Sequence, residues 1–179
     1  MLLSLGYTYL AISNMMIAQR FAVDKMLGRL ATWLRLLGQD TIYGSHLGGG
    51  TLIRRARNEG RTILTRDHRA LRAARELPLV FIVSNDFREQ LRQVIDACRF
   101  DPFAQLFSRC TRCNTPVSAV PKADVAERVP PYVFETQQRF ACCSRCGRVY
   151  WAGTHDARVR EQLRALGYTE PSATVPGGD

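Results

Sequence analysis

Lysine is nearly missing from this chain of 179 residues. Only Lys25 and Lys122 occur, so its 25 basic residues are almost all arginine. Acid is scarce too, with 16 Asp and Glu, which leaves a formal charge of +9. A surplus held by arginine is more than a solubilising one, because the planar guanidinium matches phosphate and stacks on bases where an ammonium does neither. The first 19 residues carry no charge, so the positive start of an export signal is lacking. An apolar run of membrane-spanning length is lacking as well, since Ser4, Thr8, Ser13 and Asn14 interrupt the opening segment. The length excludes a large multidomain enzyme, and 46% hydrophobic against 23% charged residues excludes a disordered chain.

What is present falls into two parts. Residues 20–107 alternate short β-prone runs with helical stretches. Strands are expected at 20–24, 40–43, 61–65 and 79–84, the last apolar enough to be central. Between and after them, Leu27, Leu30, Ala31, Leu34 and Leu37 recur at helical spacing up to Gly38. Further helices are expected at 52–59, with Thr51 as N-cap and Gly60 as stop, and near 68–77 and 87–98. Such alternation predicts an α/β layer with a parallel sheet flanked by helices. Residues 1–19 read as an extension ahead of this layer or as the product of a mis-called start, and 169–179, with Pro171, Pro176, Gly177 and Gly178, as a frayed tail.

In a parallel sheet the functional crevice lies outside the carboxyl ends of the strands. Asp24 ends the first strand, Asp67 follows the third by two residues, and Asp86 follows the fourth by two. These three carboxylates are the candidate catalytic residues. Asp40 starts its strand and so belongs at the opposite end. Clustered carboxylates without partner lysines suit magnesium or manganese, which take oxygen ligands and serve phosphoryl chemistry. Eight arginines between Arg54 and Arg75 face only Glu59 and Asp67, a local +6 that suits a polyanion. Arg35, Arg54, Arg66 and Arg69 are the expected nucleic-acid contacts.

Residues 108–168 form the second part, which ends in a helix. Cys110/Cys113 and Cys143/Cys146 make two C-x-x-C pairs, a spacing that predicts a structural zinc site with four thiolates. Cys142 offers an alternative to Cys143, and Cys98 reads as a buried helix residue. Thiols arranged for metal, without an export signal, place the chain in the cytoplasm. Tyr150 and Trp151 lie beside the second pair and suit either base stacking or the thin core of a small module.

Four segments carry a resemblance to a known family. They are F-A-V-D-K-M-L-G-R-L-A-T-W-L-R-L-L-G (21–38), I-L-T-R-D (63–67), R-C-T-R-C-N (109–114) and C-S-R-C-G-R-V-Y-W-A-G-T-H (143–155). Together they resemble the Mut-seven C-terminal RNase domain, a PIN-like nuclease domain with an appended zinc ribbon. The resemblance implies a metal-dependent ribonuclease in which Asp24 and Asp67 hold magnesium or manganese and RNA is the substrate. Where that family usually has an acidic run before its second helix, this chain has Gly48, Gly49 and Gly50. An RNA-binding or RNA-processing adaptor that has lost one metal-binding acid is therefore the alternative expectation.

Overall fold

A computed structural model describes residues 19–171; the expected N-terminal extension up to residue 18 and most of the C-terminal tail lie outside the described residues. Four short strands, β1 (Arg20–Val23), β2 (Asp40–Tyr43), β3 (Thr62–Thr65) and β4 (Leu79–Phe81), form an all-parallel sheet in the order β2-β1-β3-β4. The alternation of side chains along each strand divides the core in two. Phe21, Val23 and Leu64 face α1 (Gly28–Leu36) and α4 (Phe87–Cys98), whereas Ala22 and Ile63 face α2 (Gly49–Glu59) and α3 (His68–Ala73). Helices thus cover both faces, the α/β architecture expected from the alternating pattern.

Three expectations need correction. The run 79–84 is not central: β4 is an edge strand of three residues, and beyond it Ile82 turns inward while Val83 stands 72% exposed. The helix over 49–59 starts ahead of Thr51, with Gly48 at its N-cap. Gly60 does end it, with a φ of 60° in the left-handed region. The third helix stops at Ala73, short of 77.

Beyond residue 108, β5 (Val117–Val120), β6 (Phe140–Cys143) and β7 (Val149–Trp151) form an antiparallel sheet in the order β5-β6-β7. Its small core holds Val125, Val129 and Phe140. A short helix α5 (Pro131–Thr136) begins on proline, whose missing N–H is harmless at that position. The last helix, α6 (Thr154–Ala165), was expected to go with this second part. Its Val159 and Leu163, both fully buried, instead join the core formed by α1, α4 and one face of the parallel sheet.

The antiparallel module is fastened to the end of the sheet where β2 begins. Arg35 donates from Nε to the carbonyl of Thr41 (2.9 Å) and from one terminal nitrogen to those of Thr111 (2.9 Å) and Arg112 (3.2 Å). Asn114 accepts from the amide of Thr41 (2.8 Å) and donates to Asp40 (2.7 Å). Arg109 donates to the carbonyl of Gly38 (3.0 Å). Gly38 has a φ of 79°, and a Cβ there would lie 2.2 Å from the carbonyl oxygen of Gln105, so the chain entering the module leaves no space for a side chain.

Candidate active-site cleft and metal centre

The two ends of the parallel sheet carry different chemistry. At the carboxyl end, β1 and β3 lie side by side, so the residues that follow them are neighbours. Asp24 is 3% exposed and begins a 3-10 turn, Lys25–Leu27. One of its oxygens accepts from the amide of Met26 (3.2 Å) and the other from the hydroxyl of Thr65 (2.8 Å). Thr65, itself fully buried, accepts in turn from the amide of Asp67 (3.0 Å). Asp67 caps α3 by accepting from the amide of Arg69 (2.8 Å) through Oδ1, and its Oδ2 accepts no hydrogen bond among the described residues. A relay of two hydrogen bonds therefore ties the Asp24 carboxylate to the backbone amide of Asp67.

These two acids open into a cleft of about 500 Å³, whose lining includes Lys25, Gly48, Gly49, Arg66, Arg69 and Arg72. Two features differ from expectation. Lys25 lines the cleft, so the acids do have a lysine near them. Of the three glycines at 48–50, Gly48 and Gly49 form part of the same wall. Gly48 has extended backbone, and a Cβ placed there would touch only the aliphatic part of Lys25, at 3.7 Å. Around Gly50 such an atom meets nothing within 4 Å.

Asp86 is the acid that sequence reasoning misplaced. It is exposed, does not line the cleft, and serves as the N-cap of α4, accepting from the amides of Arg88 (2.8 Å) and Glu89 (3.2 Å). Among the described residues no three acidic groups come close enough to share one ion. Two carboxylates still suffice for a magnesium-type site, because that ion keeps several waters and takes further oxygens from a substrate phosphate.

The arginines also separate. Arg66 and Arg69 stand at the cleft, and Arg54 is exposed on α2. Arg35 is 7% exposed and committed to backbone carbonyls at the other end of the sheet, so it is a strut where a phosphate contact was expected. Arg61, counted in the basic stretch, is held there as well: it bridges Asp40 (2.8 Å) and Glu59 (2.6 Å), and Arg55 pairs with the same glutamate. Burial alone would push the Asp40 carboxyl up, but hydrogen bonds from Arg61 and Asn114 outweigh it and hold it below its usual range.

The second site is sulfur. The Sγ atoms of Cys110, Cys113, Cys143 and Cys146 all lie within 4.8 Å of one another. A tetrahedral ion with metal–sulfur bonds of about 2.3 Å requires sulfurs about 3.8 Å apart, and Cys110 and Cys146 are separated by 3.7 Å. The four residues are therefore positioned to bind a metal. Burial raises the Cys110 thiol, but the Tyr150 hydroxyl (3.0 Å) and the amides of Cys113 and Arg112 outweigh that and bring it down to about 6. Cys113, beside Cys146 and Cys110, is pushed up to about 12. Gly147 closes the second turn with a φ of 70°. Cys142 is excluded from the cluster; its sulfur contacts Arg128 (3.3 Å) and the carbonyl of Gly147 (3.4 Å). Cys98 is buried in α4, as expected.

Two functional features escaped the sequence reading. Thr65 is one more β-branched residue in a strand, with nothing to mark it as the bridge between two acids. The role of Arg35 rests on carbonyls 76 and 77 residues further along the chain. No helix among the described residues is long and apolar enough to cross a membrane. Over residues 19–163 the chain matches the family model described as the Mut7-C RNAse domain. No curated protein matches it.

Proposed function

The chain belongs to the Mut7-C RNAse domain family, and from that premise we propose that it is a metal-dependent ribonuclease whose active site is the cleft at Asp24 and Asp67. The observation that carries this reading is two carboxylates on one cleft, the Asp24 carboxylate tied through Thr65 to the backbone of Asp67, with a rim of Lys25, Arg66, Arg69 and Arg72. Asp24 and Asp67 would hold magnesium or manganese, and the bound ion supplies a lowered water pKa and charge neutralisation at the scissile phosphate. The basic rim draws the RNA backbone in and orients it. Thr65 keeps the Asp24 carboxylate in place.

Zinc is the ion we assign to the four cysteines, because four thiolates in a closed tetrahedral set are its structural site. It sits at the end of the sheet away from the acids and contributes folding energy to the module. The PIN-like assignment of the parallel layer, a cytoplasmic location and a boundary near residue 107 between that layer and the cysteine module, with α6 returning to the first core, belong to the same reading.

The glycines at 48, 49 and 50 favour a second reading, an RNA-binding adaptor without catalysis, since Gly48 and Gly49 line the cleft without adding a third carboxylate to Asp24 and Asp67. Labelled single-stranded RNA incubated with the protein, with and without manganese and beside Asp24→Asn, separates the two. Manganese-dependent cleavage that falls by at least about 100-fold in the variant is expected for the nuclease. Salt-sensitive binding without cleavage in either protein would leave the adaptor reading in its place.

A further inference from the structure

The second hollow of the molecule lies beside the four cysteines, away from the acidic cleft. Its lining includes Arg112, Arg128, Arg148, Cys146, Gly147 and Trp151, without an acidic side chain, and it encloses about 520 Å³. Arg112 projects from the first C-x-x-C turn and Arg148 follows the second; both are exposed, and neither side chain has a hydrogen-bond or ion-pair partner among the described residues. Arg128 reaches in from the segment between β5 and β6 and donates to the Gly147 carbonyl and the Cys142 sulfur. Trp151 ends β7 and is 40% exposed, with no ring packed against it among the described residues. The other tryptophan, Trp33, packs on Phe87 at 5.3 Å.

An open indole face edged by unpaired guanidinium groups is the combination that single-stranded nucleic acid requires. The ring offers a stacking platform for any unpaired base, and the arginines meet the flanking phosphates. A duplex cannot use the indole, because its bases are already stacked on each other. We infer that this hollow is a second RNA-binding site, which grips a single-stranded part of the substrate by stacking a base on Trp151 and holding phosphates with Arg112 and Arg148. The inference rests on the reading of the acidic cleft as the cutting site only for the identity of the nucleic acid. The grip is separate from the chemistry, since the cysteine module is tied to the end of the sheet where Asp40 begins β2 and the acids lie beyond the other end.

The test is tryptophan fluorescence of the zinc-loaded full chain, titrated with a 12-nucleotide single-stranded RNA in buffer free of magnesium and manganese. Saturable quenching is expected, because Trp151 is the exposed one of the two tryptophans. Read for the variants by fluorescence anisotropy of the same RNA carrying an end label, Trp151→Ala is expected to weaken binding by roughly 5- to 100-fold, and Trp151→Phe to recover most of it. The double variant Arg112→Gln/Arg148→Gln, altered at exposed positions that leave folding intact, is expected to lower the slope of log affinity against log salt by about 1.4, or 0.7 per phosphate contact. Zinc content equal to wild type checks the fold of each variant. Unchanged affinity and salt slope in the double variant overturns the inference even if Trp151→Ala misfolds. Equal quenching by duplex RNA also overturns it, and equal binding of polyglutamate would make the hollow a site for acidic protein. Asp24→Asn alters the cleft and is read by cleavage alone. If that variant still cleaves RNA, the active-site assignment fails while the hollow stands.

Discussion

Arg35 makes the sharpest stability prediction, because one guanidinium joins α1, β2 and the first metal turn. Arg35→Met keeps the length and apolar stem but removes three hydrogen bonds to the carbonyls of Thr41, Thr111 and Arg112. A hydrogen bond with a charged partner contributes about 1.5–3 kcal/mol, so a simple sum would be near 4.5–9 kcal/mol. Two corrections reduce it. Burial without a carboxylate partner already costs the guanidinium something, which is why its pKa lies below the usual value, and methionine recovers that penalty. Two of the three bonds are only partly buried, so water can satisfy their carbonyls. A net loss of about 2–4 kcal/mol remains, and for a chain of this size it corresponds to a fall in Tm of roughly 4–16 °C. Urea unfolding of the zinc-loaded protein measures it. Arg35→Lys is expected to recover less than half, since an ammonium cannot reproduce the fork. Arg35 holds the carbonyls of Thr111 and Arg112 between Cys110 and Cys113, so zinc should leave faster in the Met variant. A loss below about 1 kcal/mol together with an unchanged rate of zinc release would refute the reasoning.

Other predictions follow from the same geometry. Gly48→Asp has extended backbone, open space and an N-cap position, so it is expected to add a few tenths of a kcal/mol to stability; by restoring a carboxylate to the cleft wall it should raise manganese affinity by about tenfold or more, read by titration calorimetry. Thr65→Val preserves shape while breaking both links of the relay, and manganese-dependent cleavage is expected to fall about 10- to 100-fold with little change in secondary structure by circular dichroism. The folded pKa of Asp40 is depressed, so its contribution to stability is complete above the unfolded value near 3.9 and is lost as pH falls through the lower folded value. Asp40→Asn should therefore flatten the acid limb of a stability-versus-pH curve below about pH 4, measured by thermal melts.

How far the sequence could be read depends on whether a feature is local. The bounds of β2 are legible because Gly38 stops one element and the short alternating run that follows has little choice of length. The four cysteines are legible for the same reason, as each pair declares itself within four residues. Asp67 and Asp86 show where local reading stops, since in the sequence both follow an expected strand by two residues, whereas β4 in fact ends at Phe81. β3 lies beside β1, so Asp67 meets Asp24; β4 lies at the edge, so Asp86 is left to cap its helix. The run of apolar residues at 79–84 looks central because hydrophobicity records burial by helices as readily as burial between strands. Arg55 and Arg61 drop out of the basic stretch because Glu59 and Asp40 claim them, and for Arg61 the second partner comes from a different strand.

The docking of α6 onto the first core bears on how the protein is made. Val159 and Leu163 fill a site built by α1, α4 and the parallel sheet, yet α4 ends at Cys98. About 65 residues separate Cys98 from Leu163, and at 5–20 residues per second a ribosome needs roughly 3–13 s to add them. During that interval the nascent parallel layer shows an apolar seat with nothing on it, and all four cysteines emerge before the helix that covers that seat. Synthesis thus allows metal capture to come before closure of the main core, so metal supply during translation is expected to affect yield and aggregation separately from any effect on the finished protein.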